Sequence, residues 1–250
     1  MLKGFRLTLG FLTRIPVRID WDVKEGELEK GIIYFPVVGI VLGVFCAMVY
    51  SCAHRVFPME IAILFGMLTL VFLTGAFHVD GLADTADGIY SARSREQILE
   101  IMKDSRVGTN GVIAILFDFT FRYGGLWMAG HFFNRPLWLV FLLLPVAGKM
   151  VQGIVGYKAV YARKEGLGLF IGTLDGMRTF ICSLLGNFIL TVGFGLYGFL
   201  ASLAVFLLIF LFRKYIERIL GGLTGDIMGA ANEVAEIGFL LFLFFFMNIC

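Results

Sequence analysis

The sequence has 250 residues, of which 59% are hydrophobic, only 16% are charged and 27 are phenylalanine. With a mean hydropathy of +0.87, this composition excludes a soluble globular domain, a disordered chain and a coiled coil. The net charge of +2 is too small for a nucleic-acid-binding protein, so no nucleic-acid partner is expected.

The first 16 residues read as an interfacial helix, with Leu2, Phe5, Leu9 and Leu12 on one face and Lys3, Arg6 and Arg14 off it. The start is broken by arginines and lacks a small-residue cleavage site, so it does not read as a cleavable signal peptide. Candidate spans follow at Ile32–Tyr50, Ile61–Phe77, Gly111–Gly130, Leu137–Val155, Phe180–Leu196, Tyr197–Phe212 and Ile237–Ile249. The fifth and sixth form a tight hairpin, and the seventh is short enough to begin earlier, near Val234. The fold class is therefore an all-α, polytopic membrane helix bundle of about seven spans, with six to eight allowed, in a single domain over residues 1–250. Of the 21 Lys and Arg residues, 17 fall on the side of the N-terminus and the loops after spans two, four and six; only Arg55 and Arg135 fall on the other. This asymmetry puts the N-terminus and those loops in the cytoplasm. Cys46, Cys52, Cys182 and Cys250 lie in apolar stretches with no metal or disulfide spacing and read as small buried hydrophobes. Few ionisable residues fall within spans: Asp118 and Arg122, four apart and able to pair, and Lys149.

The polar clusters crowd the cytoplasmic side. After span two, Asp80, Asp84 and Asp87 stand at i, i+4 and i+7, which on a helix places them within about 60° of one another. Carboxylates at such range repel unless a cation lies between them, and hard oxygen ligands select magnesium. The plainer reading is a solvated acidic turn. His78 beside them is as easily a packing residue as a functional one. In the next loop Lys103 and Arg106 could clamp a pyrophosphate, Glu100 and Asp104 could add ligands, and Thr109 or Asn110 could cap span three and leave backbone N–H groups for an anion. Taken alone, that loop is an ordinary helix cap. The loop after span four carries Arg163 with Gly166 and Gly168, then Asp175; its glycines would let backbone approach a ligand. Before span seven, Asp226 and Glu233 are seven apart on one helical face, with Glu236 near them, which suggests a second acidic face. Together these clusters argue for a membrane enzyme that handles a diphosphate substrate with a metal ion.

The run Phe77-His78-Val79-Asp80-Gly81-Leu82-Ala83-Asp84-Thr85-Ala86-Asp87-Gly88 resembles the signature of the cobalamin synthase (adenosylcobinamide-GDP ribazoletransferase) family. The resemblance continues through Glu100–Thr109, Tyr161–Gly168 and Gly221–Asp226, and includes Thr13–Val17 and Gly31–Pro36, in family order over nearly the whole chain. It implies transfer of the adenosylcobinamide-phosphate moiety from adenosylcobinamide-GDP to α-ribazole or its 5′-phosphate, with release of GMP. It also implies magnesium, a prokaryotic cytoplasmic (inner) membrane with the active site facing the cytoplasm, and association with the bilayer and with other nucleotide-loop assembly enzymes.

On that basis Asp80, Asp84, Asp87, Asp104 and Asp226 are expected to hold magnesium on the diphosphate. Asp87, or else Asp226 or Glu233, is the expected base for the ribazole 3′-hydroxyl, and Lys103 and Arg106 the expected stabilisers of phosphoryl charge. Substrate contacts are expected from His78, Glu100, Ser105, Gly108, Thr109, Arg163, Gly166, Gly168, Asp175 and Thr224. Two rivals stand beside this reading. A CDP-alcohol phosphotransferase also leaves a nucleoside monophosphate but spaces its aspartates more widely. A divalent-cation transporter needs polar residues deep in several spans.

Overall fold

The computed structural model describes residues 2–24, 26–163 and 172–249. Those residues are mostly helical, with an irregular segment over 13–24, short connections and one isolated bridge between Tyr161 and Leu223. Helix α1 is Leu2–Leu12 and α2 is Glu27–Lys30; a 3-10 turn, Gly31–Tyr34, leads into α3, Phe35–Ala53. Then come α4, Met59–Thr74; α5, Phe77–Ile89; α6, Arg95–Ile101; α7, Thr109–Phe132; α8, Leu137–Met150; α9, Gln152–Gly156; α10, Gly176–Leu220; and α11, Gly225–Ile249. Five helical stretches are long and apolar enough to cross a membrane, or six when α4 and α5 count as one bent span.

Glycine decides how closely the helices approach. Gly39 and Gly43 of α3 lie four apart against α8, and a Cβ on Gly43 would fall 1.8 Å from the Leu142 carbonyl oxygen. Such close backbone contact is how helices gain packing energy in lipid, where apolar burial supplies little. Around this seam Phe35, Leu42, Val146 and Met150 are fully buried. By contrast, Phe180, Leu184, Phe188 and Val192 form an exposed stripe along α10, each more than half exposed. An apolar belt of this kind suits a hydrocarbon surround rather than water.

Two features of the chain path matter for function. First, α4 and α5 meet at 86°. Gly75 (φ 63°) and Ala76 (φ 60°) take the left-handed conformation at the corner. Helix α4 therefore ends at Thr74, short of the expected Phe77, and the aspartates lie on a new helix rather than in a loop. Second, α10 contains a break at Gly195 (φ 64°, ψ −144°). Across it, Gly198 approaches the Leu190 carbonyl so closely that a Cβ would fall 2.3 Å away. Both ends of α10 return to Tyr157: Gly176 lies against its ring, and Arg213 donates to its carbonyl oxygen at 2.8 Å. The two arms form a hairpin around Gly195, which is the only residue type that holds this φ without strain.

Candidate functional site

The site is assembled where α5 crosses α11. The contact is made through Gly81, whose absent Cβ would meet the Asp226 carbonyl oxygen at 2.6 Å, and through Gly229, which lies against the His78 backbone. Only glycine allows this approach, and it sets Asp226 beside the acidic face of α5. Asp80 is exposed, while Asp84 and Asp226 are half-buried. Arg163 Nη2 reaches Asp226 Oδ2 at 2.7 Å and donates to the Met102 carbonyl at 3.2 Å. Arg163 is held there by backbone pairing: Leu223 N–H donates to the Val160 carbonyl, and Ala162 N–H to the Leu223 carbonyl, both at 2.8 Å. Thr224 caps α11, accepting from Ile227 N–H at 3.4 Å, and its hydroxyl donates to Asp226 at 3.3 Å. Arg163 Nε is buried and has no hydrogen-bond partner among the described residues.

Asp87 has a different task from its two neighbours. Its carboxylate accepts from Gly108 N–H at 2.7 Å and Gly111 N–H at 2.8 Å, so it caps α7 from another helix. The backbone donors at the start of α7, expected to be capped by Thr109 or Asn110 and left open for an anion, are thus taken by Asp87. A Cβ at Gly108 or Gly111 would clash with that carboxylate at 2.5 and 2.4 Å, which explains both glycines. Asp104 is bound by Arg106 Nη2 at 2.7 Å on the surface, and this partner holds its carboxyl below the usual range. Glu100, Lys103, Ser105, Arg106 and Thr109 are exposed around the rim. Asp175 caps α10 by accepting from Arg178 N–H at 3.2 Å. Gly166 and Gly168 lie outside the described residues.

Glu233 does not join this group. It lies two turns deeper on α11, where Arg122 of α7 bonds both Glu233 and Glu236 and contacts Asp118 at 3.3 Å. Lys149 of α8 donates to Asn232 at 2.6 Å, and the Asn232 amide donates to Glu233 and Glu236 at 3.1 and 3.0 Å. All of these side chains are buried. The expectation of few charges within spans is therefore corrected: two glutamates belong with Asp118, Arg122 and Lys149. Spacing placed Glu233 on the same helix face as Asp226 but could not give its depth. His78, buried and edge-on to Phe77, lines the small void beside this network together with Arg122 and Lys149, rather than facing the aspartates' open side. The network leaves Asp118 Oδ2 buried and without a hydrogen-bond partner among the described residues, and it borders a space of about 10 Å³, room for one water at most.

Among the described residues, no three His, Cys, Asp or Glu side chains are poised together as a metal cage. The donor chemistry still suits magnesium. Asp80, Asp84 and Asp226 offer carboxylate oxygens at the mouth of the site, and magnesium is commonly held by one or two carboxylates plus waters and substrate phosphates. Asp87 fits such a set less well, because both its oxygens are already engaged.

The cobalamin-5-phosphate synthase family matches residues 4–244. An adenosylcobinamide-GDP ribazoletransferase of Clostridium novyi is 43% identical, over 98% of this chain and 98% of its own length. Proteins of the same name from Listeria monocytogenes and Escherichia coli are 39% and 38% identical, covering 94% and 96% of this chain and 95% and 99% of their own. No solved structure matches. The blocks that converge on the α5–α11 crossing lie within this one continuous match, and the chain belongs to the cobalamin-5-phosphate synthase family.

Proposed function

We propose that this protein transfers the adenosylcobinamide-phosphate moiety from adenosylcobinamide-GDP to α-ribazole or α-ribazole 5′-phosphate, releasing GMP. The ribazole hydroxyl oxygen forms a bond to the phosphorus that stays on the cobinamide arm. The bond from that phosphorus to the GMP oxygen breaks, and the hydroxyl proton passes to a base. Names of relatives along the full chain support the reaction. The observation that carries the site is the convergence of Asp80, Asp84 and Asp226 with Arg163 at one end of the bundle.

Within that site each residue has a physical task. Arg163, fixed by its Asp226 and Met102 contacts, holds a guanidinium cation beside the carboxylates, where it stabilises charge on phosphoryl oxygens. Asp84 and Asp226 face each other across the α5–α11 crossing and are the residues that would hold magnesium, with Asp80 at the open side. The metal, when bound, neutralises diphosphate charge and makes GMP a better leaving group. Asp80, the most exposed of the three carboxylates, is accessible to take the ribazole proton. Asp87 acts one step back by fixing α7 to α5. Lys103 stands at the rim, where it attracts an anionic substrate over a distance of about a Debye length; Arg106, beside it, is held by Asp104.

The 17-to-2 distribution of Lys and Arg supports an N-terminus and a site on the cytoplasmic side of a prokaryotic inner membrane. The α10 hairpin and the bent α4–α5 pair support seven traverses. The test is product formation by purified protein in lipid, supplied with adenosylcobinamide-GDP and α-ribazole 5′-phosphate, in magnesium or in EDTA. GMP and a cobalamin product in equal amounts, only with magnesium, are expected. Activity on CDP-diacylglycerol with an alcohol acceptor, and none on the corrinoid, would favour the lipid-synthase alternative.

A further inference from the structure

A second charged cavity lies apart from the aspartates. It has a volume of about 260 Å³ and is lined by Lys3, Glu27, Lys30, Tyr34 and Arg178, with Gly4, Leu7 and Ile33 as its floor. Its three cations come from three separate elements: α1, the end of α2, and the first turn of α10. Among the described residues, none of the three side chains makes a salt bridge or hydrogen bond; Lys3 lies over the Trp21 ring at 5.4 Å. Glu27, the one acid among the described lining residues, accepts from Lys24 N–H at 3.3 Å.

The cavity is built, not a chance gap between loose segments. Helix α1 is seated on the 3-10 turn by two glycine contacts. A Cβ at Gly4 would meet the Tyr34 ring at 3.0 Å, and one at Gly31 would fall 2.3 Å from the Thr8 hydroxyl. Thr8 donates to the Gly31 carbonyl at 3.2 Å, and Phe5 packs edge-on against Tyr34 at 6.1 Å. Arg178 is the third residue of a long helix whose N-cap, Asp175, accepts from its backbone N–H at 3.2 Å, while its guanidinium makes no ion pair among the described residues. Three cations converging on one cavity from separate elements set up a positive potential that favours an anion. The tetrahedral, multiply charged phosphoryl group fits three donors from three directions, with the Tyr34 hydroxyl as a fourth. Leu2, 71% exposed at the start of α1, marks this end of the helix as one that meets an apolar surround.

We infer that the cavity between α1, the Gly31–Tyr34 turn and the start of α10 is a phosphoryl-anion site. It is separate from the aspartate cluster and does not depend on the reaction assigned to that cluster. A phosphoryl group there comes either from the headgroup of an anionic phospholipid or from a free phosphate.

The test uses the full chain in phosphatidylcholine nanodiscs, with and without phosphatidylglycerol, and the variant K3Q/K30Q/R178Q. Native mass spectrometry reads retained lipid. Inorganic phosphate is titrated into the pure phosphatidylcholine discs and read as a shift in melting temperature. Each lost cation should weaken binding about fivefold, and the three together roughly a hundredfold. Phosphatidylglycerol retained by the parent protein and lost by the variant identifies a lipid site. Stabilisation by inorganic phosphate, lost in the variant, identifies a free-phosphate site. A parent protein that retains no phosphatidylglycerol and ignores phosphate overturns the inference, as does a variant that matches the parent in both. If the triple variant does not fold, Arg178→Gln alone is read in the same two assays, and equal binding there overturns the inference.

Discussion

Replacing Arg122 with methionine isolates what the buried network contributes. The network holds Asp118, Glu233 and Glu236 against Arg122 and Lys149, a formal charge of −1. Arg122 contacts all three carboxylates, and its side chain is 4% exposed, with Asp118, Glu233 and Glu236 at 1%, 6% and 0%. Its removal leaves −2 among side chains that cannot reach water. Breaking a buried pair from one side typically costs about 3–5 kcal/mol. For a chain of this size that is a fall in melting temperature of roughly 6–20 °C. Intrinsic fluorescence of the three tryptophans, followed on heating in lipid nanodiscs, reads it directly. Adding Glu233→Gln and Glu236→Gln to Arg122→Met removes the uncompensated charge and should recover much of the loss. As a control, Arg106→Met breaks a 2.7 Å ion pair on the surface, where Arg106 is 88% exposed, and should leave the melting temperature unchanged. If Arg122→Met melts with the parent protein, or if the two glutamine substitutions lower stability further, the network is not the electrostatic tie described above.

Other substitutions test separate parts of the account. Gly43→Ala places a methyl 1.8 Å from the Leu142 carbonyl; it should separate α3 from α8, cost about 1–3 kcal/mol, and show as a lower melting temperature. Gly81→Ala meets the Asp226 backbone at 2.6 Å and should lower turnover more than stability, because it displaces Asp226 from Asp84; kcat and melting temperature measured together separate the two effects. Asp87→Ala removes the cap on α7 and should cost about 0.5–2 kcal/mol. Asp87→Asn, still able to accept from one N–H, should keep measurable turnover, and its complete inactivity in folded protein would return Asp87 to the role of base or ligand. Arg163→Lys keeps the charge but loses the fork; it should raise KM for the diphosphate substrate, read in the same GMP-release assay.

How much of this was legible in the sequence depended on range. The period of Asp80, Asp84 and Asp87 fixed their shared face, because helix geometry is local. The hairpin break was legible because residues 180–212 are too long an apolar run for one span. The depth of Glu233 was not, since a seven-residue spacing gives direction around a helix but not which turn meets cytoplasm. Asp87's cap on α7 depends on a contact 21 residues away in sequence, which no spacing rule reports. The polar stretch 225–236 looked like a loop before a short span. It is helix from Gly225 because Arg122, Lys149 and Arg163 satisfy its side chains inside the bundle. Gly39 and Gly43, four apart in an apolar run, were a readable signal of helix contact. Their partner, α8, became visible only in the fold.

The central claim is that Asp84, at the crossing of α5 and α11, works in the transfer, whereas Glu233, two turns deeper, does not touch the reactants. The direct measurement is GMP release by Asp84→Asn and Glu233→Gln, side by side in lipid, at equal amounts of folded protein and across a magnesium titration. Asp84→Asn is expected to lose turnover at every magnesium concentration while keeping its melting temperature, and Glu233→Gln to change stability but retain turnover. Near-parental turnover in Asp84→Asn, or a stable Glu233→Gln protein with none, would contradict that claim.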